Sequence, residues 1–224
     1  MKILLFASLF MSANTFAQSI TEANLISLMT SRKAQLERVN VGMTKQTVTL
    51  SSIPVEGQDC NFKHTAVQSV LKIEGTKLIV LSKETFSPAV SQACKVSGYK
   101  AYSESILFYE DAPSLDADLA ELTAASPDIK SLSKAGEIVT MVMDGKIQNE
   151  DGTTTTDLVT LKYDLSKSSF RNLISSSSTG ISVTTTDAVD INLNTVDLKN
   201  VLFCDTSTSD KNTCTKGDFS DILY

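Results

Sequence analysis

Residues 137–165 read EIVTMVMDGKIQNEDGTTTTDLVTLKYDL and contain the clearest structural signal in the chain. Apolar and polar side chains alternate in both halves, which is the pattern of half-buried strands. The Asn-Glu-Asp-Gly segment at 149–152 supplies the turn residues of a hairpin. The segment therefore predicts a β-hairpin with one apolar face. That face carries Val139, Met141, Met143 and Ile147 from the first strand, and Val159, Leu161, Tyr163 and Leu165 from the second.

The same alternation recurs on both sides of this hairpin. About ten strands joined by short turns must pair antiparallel, because parallel neighbours need long crossover connections. Serine and threonine tracts, such as those at 153–156 and 175–178, suit the solvated face of such a sheet. The other predicted strands lie at 41–50, 67–73, 77–86, 99–109, 169–176, 181–193 and 198–204.

Two helices are predicted outside the strands. The first covers about residues 19–37, where Ser19-x-x-Glu22 has the pattern of a capping box. The second covers 114–125, with Ser114 as the cap and Pro127 just after the end. The expected fold is α+β and mainly β: a large antiparallel sheet with an N-terminal helix and a mid-chain helix. Curved, half-barrel and two-layer forms of the sheet all fit this pattern.

The first seventeen residues have the organisation of a signal peptide. Lys2 precedes an apolar stretch of about ten residues, which is half the length needed to cross a bilayer. Small residues then lead to a cleavage site before Gln18. We therefore expect a signal peptide at 1–17 and a single exported domain at 18–224, periplasmic or extracellular, without a transmembrane span. The compact signal and the absence of Asn-x-Ser/Thr sites favour a bacterial protein.

All four cysteines lie in the expected exported portion, where an even number indicates two disulfides. Three pairings are possible. Cys60 and Cys94 flank the predicted hairpin at 67–86, whose open end would bring them together. Cys204 and Cys214 lie ten positions apart across a polar loop. We therefore predict the pairs Cys60–Cys94 and Cys204–Cys214. A zinc site at Cys60 and His64 is not expected, because paired ligand units are missing.

The composition excludes several other classes of function. A net charge of −6 lacks the basic surface that nucleic acids require. His64 is the only histidine, and it has no G-x-S-x-G nucleophile motif to accompany it. The acidic clusters, such as Asp116-x-Asp118, lack the spacing of a calcium loop. We therefore expect no cofactor and no metal, and we assign no catalytic residue.

The predicted function rests on the apolar face of the hairpin. Two helices, each about 10 Å wide, shield roughly four of about ten strands. The remaining apolar surface would close on itself, pack as a second sheet, or bind something. The candidate binding face consists of Val139, Met141, Met143, Val159, Leu161 and Tyr163.

The order of the elements resembles that of the half-barrel lipoprotein carriers of the bacterial periplasm. The resemblance covers element order alone, so no residue role is carried over from that family. We expect a non-catalytic envelope protein with a binding or structural role, whose partner is an apolar small molecule, a lipid or lipoprotein, or another envelope protein. The alternative is an exported hydrolase that uses Asp or Glu residues without a recognisable motif.

Overall fold

A computed structural model describes residues 17–148, 154–204 and 214–223. The protein is mainly β, as predicted. The strands are β1 Gln18–Ser19, β2 Thr44–Val55, β3 Gln58–Glu74, β4 Lys77–Pro88, β5 Tyr102–Asp111, β6 Ile129–Ala135, β7 Ile138–Gln148, β8 Thr154–Asp164, β9 Leu173–Ser178, β10 Ile181–Asp187, β11 Val201–Cys204 and β12 Thr215–Gly217. The helices are α1 Glu22–Ser31, α2 Lys33–Leu36, α3 Gln92–Val96, α4 Leu115–Ala125 and α5 Ser169–Asn172.

These strands form one sheet in the order β1-β6-β7-β8-β9-β10-β2-β3-β4-β5-β11-β12. The sheet does not close into a barrel. Most neighbours pair antiparallel, but β11 pairs with β5 in parallel, with Leu202 opposite Ile106. The expectation of a purely antiparallel sheet is therefore wrong at this pairing. The chain reaches β11 only after most of the other strands, and this long connection supplies the crossover that a parallel pair requires.

The predicted central hairpin is formed by β7 and β8. Its register places Val139 opposite Tyr163 and Met141 opposite Leu161. Met143 lies opposite Val159 in the same register. Because side chains alternate along a strand, these six residues share one face of the sheet, which we call the inner face. The predicted turn at 149–152 lies outside the described residues.

The N-terminal helix begins later than predicted. Thr21 is the N-cap of α1, and its hydroxyl accepts a hydrogen bond from the backbone N–H of Asn24. The predicted capping box at Ser19 is therefore wrong, because Ser19 belongs to β1 and pairs with Ser133 of β6. The mid-chain helix α4 follows the prediction, with the Ser114 hydroxyl accepting from the N–H of Ala117.

Several predicted strands change in extent or type, and β3 begins at Gln58, nine residues before its predicted start. The alternation at 181–193 forms a strand only as far as Asp187, and 169–172 is helical. The strand predicted at 198–204 begins at Val201. The strands β1, β6 and β12 and the helix α3 were not predicted from the sequence. Among the described residues, no helix has the length and hydropathy of a membrane span.

Helices cover part of the inner face. The apolar sides of α1, α2 and α4 pack against β6 and β7, and Phe170 of α5 packs against Val70, Val80 and Phe108. The opposite, outer face of β4 and β5 is covered by the C-terminal segment. That outer core consists of Leu71, Ile79, Leu81, Leu107, Leu198 and Val201, with Phe219, Ile222 and Leu223 packed against it.

Both predicted disulfides are present. Cys60 of β3 is bonded to Cys94 of α3 with their Cα atoms 4.7 Å apart. Cys204 at the end of β11 is bonded to Cys214 with a Cα separation of 4.3 Å. The β3–β4 hairpin turns at Gly75, and its open end brings Cys60 close to α3, as the sequence predicted. Two disulfides are consistent with an oxidising environment.

Candidate functional site

A cavity of about 490 Å³ lies between α1, α4 and the β7–β8 hairpin. This volume is within the range of about 300–1,000 Å³ that small-molecule sites occupy. Leu25 and Met29 line it from α1, and Leu122 and Ala125 from α4. The sheet contributes Val139, Met141, Met143, Leu161, Tyr163 and Leu165.

The sequence positions these side chains in a simple way. Leu25 and Met29 are four residues apart on α1, so they project from the same side of the helix. Both are buried against the sheet. On the sheet, alternation places Met141 and Leu161 side by side, directly beneath the helices. Two amphipathic helices and one apolar strand pair therefore build an apolar floor.

The rim of the cavity is polar and acidic. Asp118 and Glu121 reach it from α4, one turn apart, while Ser169 and Asn172 reach it from α5. The Ser169 hydroxyl donates a hydrogen bond of 2.6 Å to Oδ2 of Asp118. Partial burial raises the pKa of Asp118, the Ser169 bond opposes that rise, and the nearby charge of Glu37 adds to it.

Tyr163 connects the floor of the cavity to the rim. Its ring lies among the apolar floor residues. Burial raises the pKa of its hydroxyl, and the negative charges of Glu121 and Asp118 raise it further. The phenol therefore stays neutral at physiological pH and can both donate and accept hydrogen bonds.

The described lining of this cavity contains two carboxylates and no Lys, Arg or His. Two lysines near α4 have carboxylate partners of their own. Lys33 lies 3.5 Å from Glu37, and Lys77, which lines an adjoining pocket with Asp118 and Glu121, lies 2.6 Å from Asp111. The rim is consequently electronegative.

Five of the six residues that the sequence singled out line the cavity, and the sixth does not. Val159 shares the inner face, but its side chain lies against Gly145 at the end of the hairpin. Sequence reasoning missed Asp118 and Glu121 as site residues. The available signal was their position on α4, because Asp118 is three residues after Leu115 and four before Leu122, within the apolar stripe.

His64 lies elsewhere on the inner face. Its Nε2 is 3.2 Å from Oε2 of Glu84, and the buried Ser82 hydroxyl donates to Oε1 of the same carboxylate over 3.1 Å. A hydrolytic triad needs the histidine between the serine and the acid. Here the carboxylate stands in the middle, so the histidine cannot activate the serine. Among the described residues, no group of three metal-ligating side chains comes together.

An aromatic cluster occupies the other end of the inner face. Phe62, Phe86, Tyr99 and Tyr102 have ring centroids 5.1–5.9 Å apart. A wide groove of about 640 Å³ next to it is lined mainly by small residues and serines at the strand ends. These rings pack together at the end of the sheet near the Cys60–Cys94 disulfide.

The chain matches no protein-family model, no curated protein and no solved structure.

Proposed function

We propose that this protein is an exported, non-catalytic binding protein that carries a ligand with an apolar body between α1, α4 and the β7–β8 hairpin. The observation that supports this most strongly is the cavity of about 490 Å³ with a continuous apolar floor. Buried apolar side chains normally pack without voids of this size. A ligand that fills the space would add apolar contacts to the side chains that line it.

The energetics favour an apolar chain as the bound group. Each methylene removed from water contributes about 0.8 kcal/mol, so about ten methylenes would supply the roughly 8 kcal/mol of micromolar binding before the cost of association is subtracted. The floor offers thioether and branched aliphatic side chains, and Met141 and Met143 can adjust their shape to different chains. Such a surface suits a carrier of related ligands better than a site for one rigid substrate.

Export of the protein is part of the same proposal. The signal-like segment at 1–17 and the two disulfides support it, because disulfides persist in the periplasm and outside the cell. An aqueous envelope compartment is also where an apolar ligand needs a carrier.

A hydrolase remains the alternative prediction. The cavity does contain two carboxylates, Asp118 and Glu121. Acid–base hydrolysis uses two carboxyl groups on either side of the scissile bond. Asp118 and Glu121 project from adjacent turns of the same helix, so they stand on one wall and do not flank a substrate. This arrangement favours binding over hydrolysis.

The test is titration with the neutral fluorescent probe N-phenyl-1-naphthylamine. We expect saturable binding to the wild-type protein and loss of binding in Leu161→Asp. The matched control is Leu158→Asp, three residues earlier on the same strand, because Leu158 faces the outer side and is 56% exposed. That control should bind the probe like the wild type.

A second variant covers the case in which Leu161→Asp does not fold. Ala125→Leu adds three carbons to the cavity from the end of α4 without introducing a charge. It should reduce probe affinity at least tenfold, while circular dichroism stays that of the wild type. Wild-type protein that does not bind the probe, or an Ala125→Leu variant that binds it equally well, would overturn the proposal.

A further inference from the structure

We infer that the ligand of this cavity is a cationic amphiphile, with an alkyl chain on the apolar floor and a protonated amine at the Asp118–Glu121 rim. The inference rests on the proposed function and specifies the head group. It follows from the separation of the lining into an uncharged apolar floor and a rim whose charged groups are all acidic.

The rim has the geometry to receive an ammonium group. Asp118 and Glu121 are three positions apart on α4, and side chains with that spacing lie about 5–6 Å apart at Cβ. A single cation between them can contact both carboxylates. Tyr163 lines the same cavity as both acids, and their negative charges raise the pKa of its hydroxyl. An alkylammonium group has three N–H donors, and these three side chains offer oxygen acceptors.

The position of Asp118 adds to this argument. It is partly buried and lies close to the charge of Glu37, and no ion pair among the described residues compensates its ionised form for lost hydration. The Ser169 hydroxyl donates to one of its oxygens, Oδ2, which leaves the carboxylate with acceptor capacity. A bound cation would supply the missing countercharge.

The same charges disfavour other head groups. A sulfate or phosphate head would enter a rim that already contains two carboxylates, with no basic side chain among the described lining residues. Like charges brought together in a partly desolvated site repel strongly. A neutral hydroxyl head would avoid repulsion but gain only an ordinary hydrogen bond.

The test compares three ligands with the same ten-carbon chain, all below their micellar concentrations: decylammonium, decanol and decyl sulfate. Affinities are measured at pH 7 and low salt by displacement of N-phenyl-1-naphthylamine. We expect decylammonium to bind about tenfold or more tightly than decanol, because a hydrogen bond to a charged group is worth that factor. Decyl sulfate should bind more weakly than decanol.

Variants then assign the effect to the rim. In Asp118→Asn/Glu121→Gln, decylammonium should lose its advantage while decanol binds as before. The control is Asp116→Asn, an exposed acid in the first turn of the same helix that does not line the cavity. It should retain the full preference for the amine.

The outcomes separate this inference from the proposed function. Equal affinity for all three ligands, or tighter binding of decyl sulfate, overturns the cationic head group and leaves the apolar carrier intact. An amine preference that survives in the double variant overturns the assignment to Asp118 and Glu121. Failure of all three ligands and of the probe to bind overturns both proposals together.

Discussion

A Cβ atom added to Gly145 would lie 2.5 Å from Cγ2 of Val159. The cross-strand partner of Gly145 is Asp157, which lies two residues before Val159 in β8. Carbon atoms do not approach that closely without displacement. Val159 is β-branched and therefore stiff, so its side chain cannot simply turn away. The glycine in β7 thus leaves room for the side chain of Val159, which pairs with the cavity residue Met143.

We predict that Gly145→Ala destabilises the protein. Overpacking costs about 1–3 kcal/mol. For most of that range the cost exceeds the gain of about 0.5–1 kcal/mol that replacing a strand glycine normally brings. Urea unfolding followed by circular dichroism would measure the loss as a lower midpoint with an unchanged slope.

The control is the double variant Gly145→Ala/Val159→Ala. Removing the two methyl groups of Val159 relieves the clash. The double variant should therefore lose less free energy of unfolding than the two single variants lose in total. A coupling of about 0.5–3 kcal/mol is typical of residues in contact. Strictly additive changes in the free energy of unfolding would show that residue 145 and Val159 are not in contact.

The two disulfides should differ in their contribution to stability. Cys60–Cys94 closes 34 residues and Cys204–Cys214 closes 10. On the chain-entropy model these loops are worth about 4 and about 3 kcal/mol. We therefore expect Cys60→Ser/Cys94→Ser to lower the free energy of unfolding more than Cys204→Ser/Cys214→Ser.

The pairing itself is checked by non-reduced peptide mapping. The expected products are one peptide pair containing Cys60 and Cys94, and another containing Cys204 and Cys214. A peptide that links Cys60 to either C-terminal cysteine would contradict both the pairing and the loop lengths used for the stability estimate.

The parts of the fold that the sequence predicted correctly are local. The β3–β4 and β7–β8 hairpins each depend on alternation within about thirty residues and on a turn between the strands. The disulfide between Cys60 and Cys94 followed from one of those hairpins. The helix α4 followed from its own cap and apolar spacing.

The parts that were missed depend on distant residues. The parallel pairing of β11 with β5 joins segments about ninety positions apart, and no local pattern specifies it. Ser19 could have capped a helix, but pairing with Ser133 of β6 draws it into a strand. The chain at 188–193 continues the alternation of a strand, yet Ile191 and Leu193 turn to cover the outer face.

Only the floor of the cavity could be predicted from the sequence. Its floor is an apolar strand face, which alternation reveals directly. Its rim depends on which side of α4 meets the sheet, and in the sequence Asp118 stands out only as part of an acidic cluster without the spacing of a calcium loop. The raised pKa of Asp118 arises from burial and from Glu37, which lies 81 positions earlier in the chain.

If the protein is exported as we propose, its mature form should begin at Gln18. In the structure Gln18 and Ser19 form β1 and pair with Lys134 and Ser133 of β6. Cleavage after Ala17 would leave this strand intact at the new N-terminus. The intact mass of protein recovered from the exported fraction is the measurement, and a mass that includes residues 1–17 would contradict the prediction.

The last prediction concerns the cost of ionising Asp118. A carboxyl whose pKa is higher in the folded state than in the unfolded chain holds its proton more tightly when folded. Stability therefore falls as pH rises from the ordinary value of 3.8 through the raised pKa of Asp118. Above that pKa the folded protein carries the full free-energy cost of the ionised, partly buried carboxylate. The charge of Glu37 adds to the rise in the pKa of this carboxyl, and Glu121 and Tyr163 line the same cavity.

We therefore predict that Asp118→Asn, which cannot ionise but can still accept the hydrogen bond from Ser169, is more stable at pH 7 than Asp116→Asn. Asp116 lies in the same first turn of α4, so both variants lose a favourable interaction between a carboxylate and the helix N-terminus. Asp116 is exposed, however, so Asp116→Asn does not remove a partly buried charge. Thermal unfolding of both variants between pH 4 and pH 7.5 is the measurement. The gap between their melting temperatures should widen as pH rises through the raised pKa of Asp118 and narrow as pH falls below it. If Asp118→Asn is the less stable variant at pH 7, the carboxylate stabilises the fold, and a bound cation is not needed to compensate for its charge.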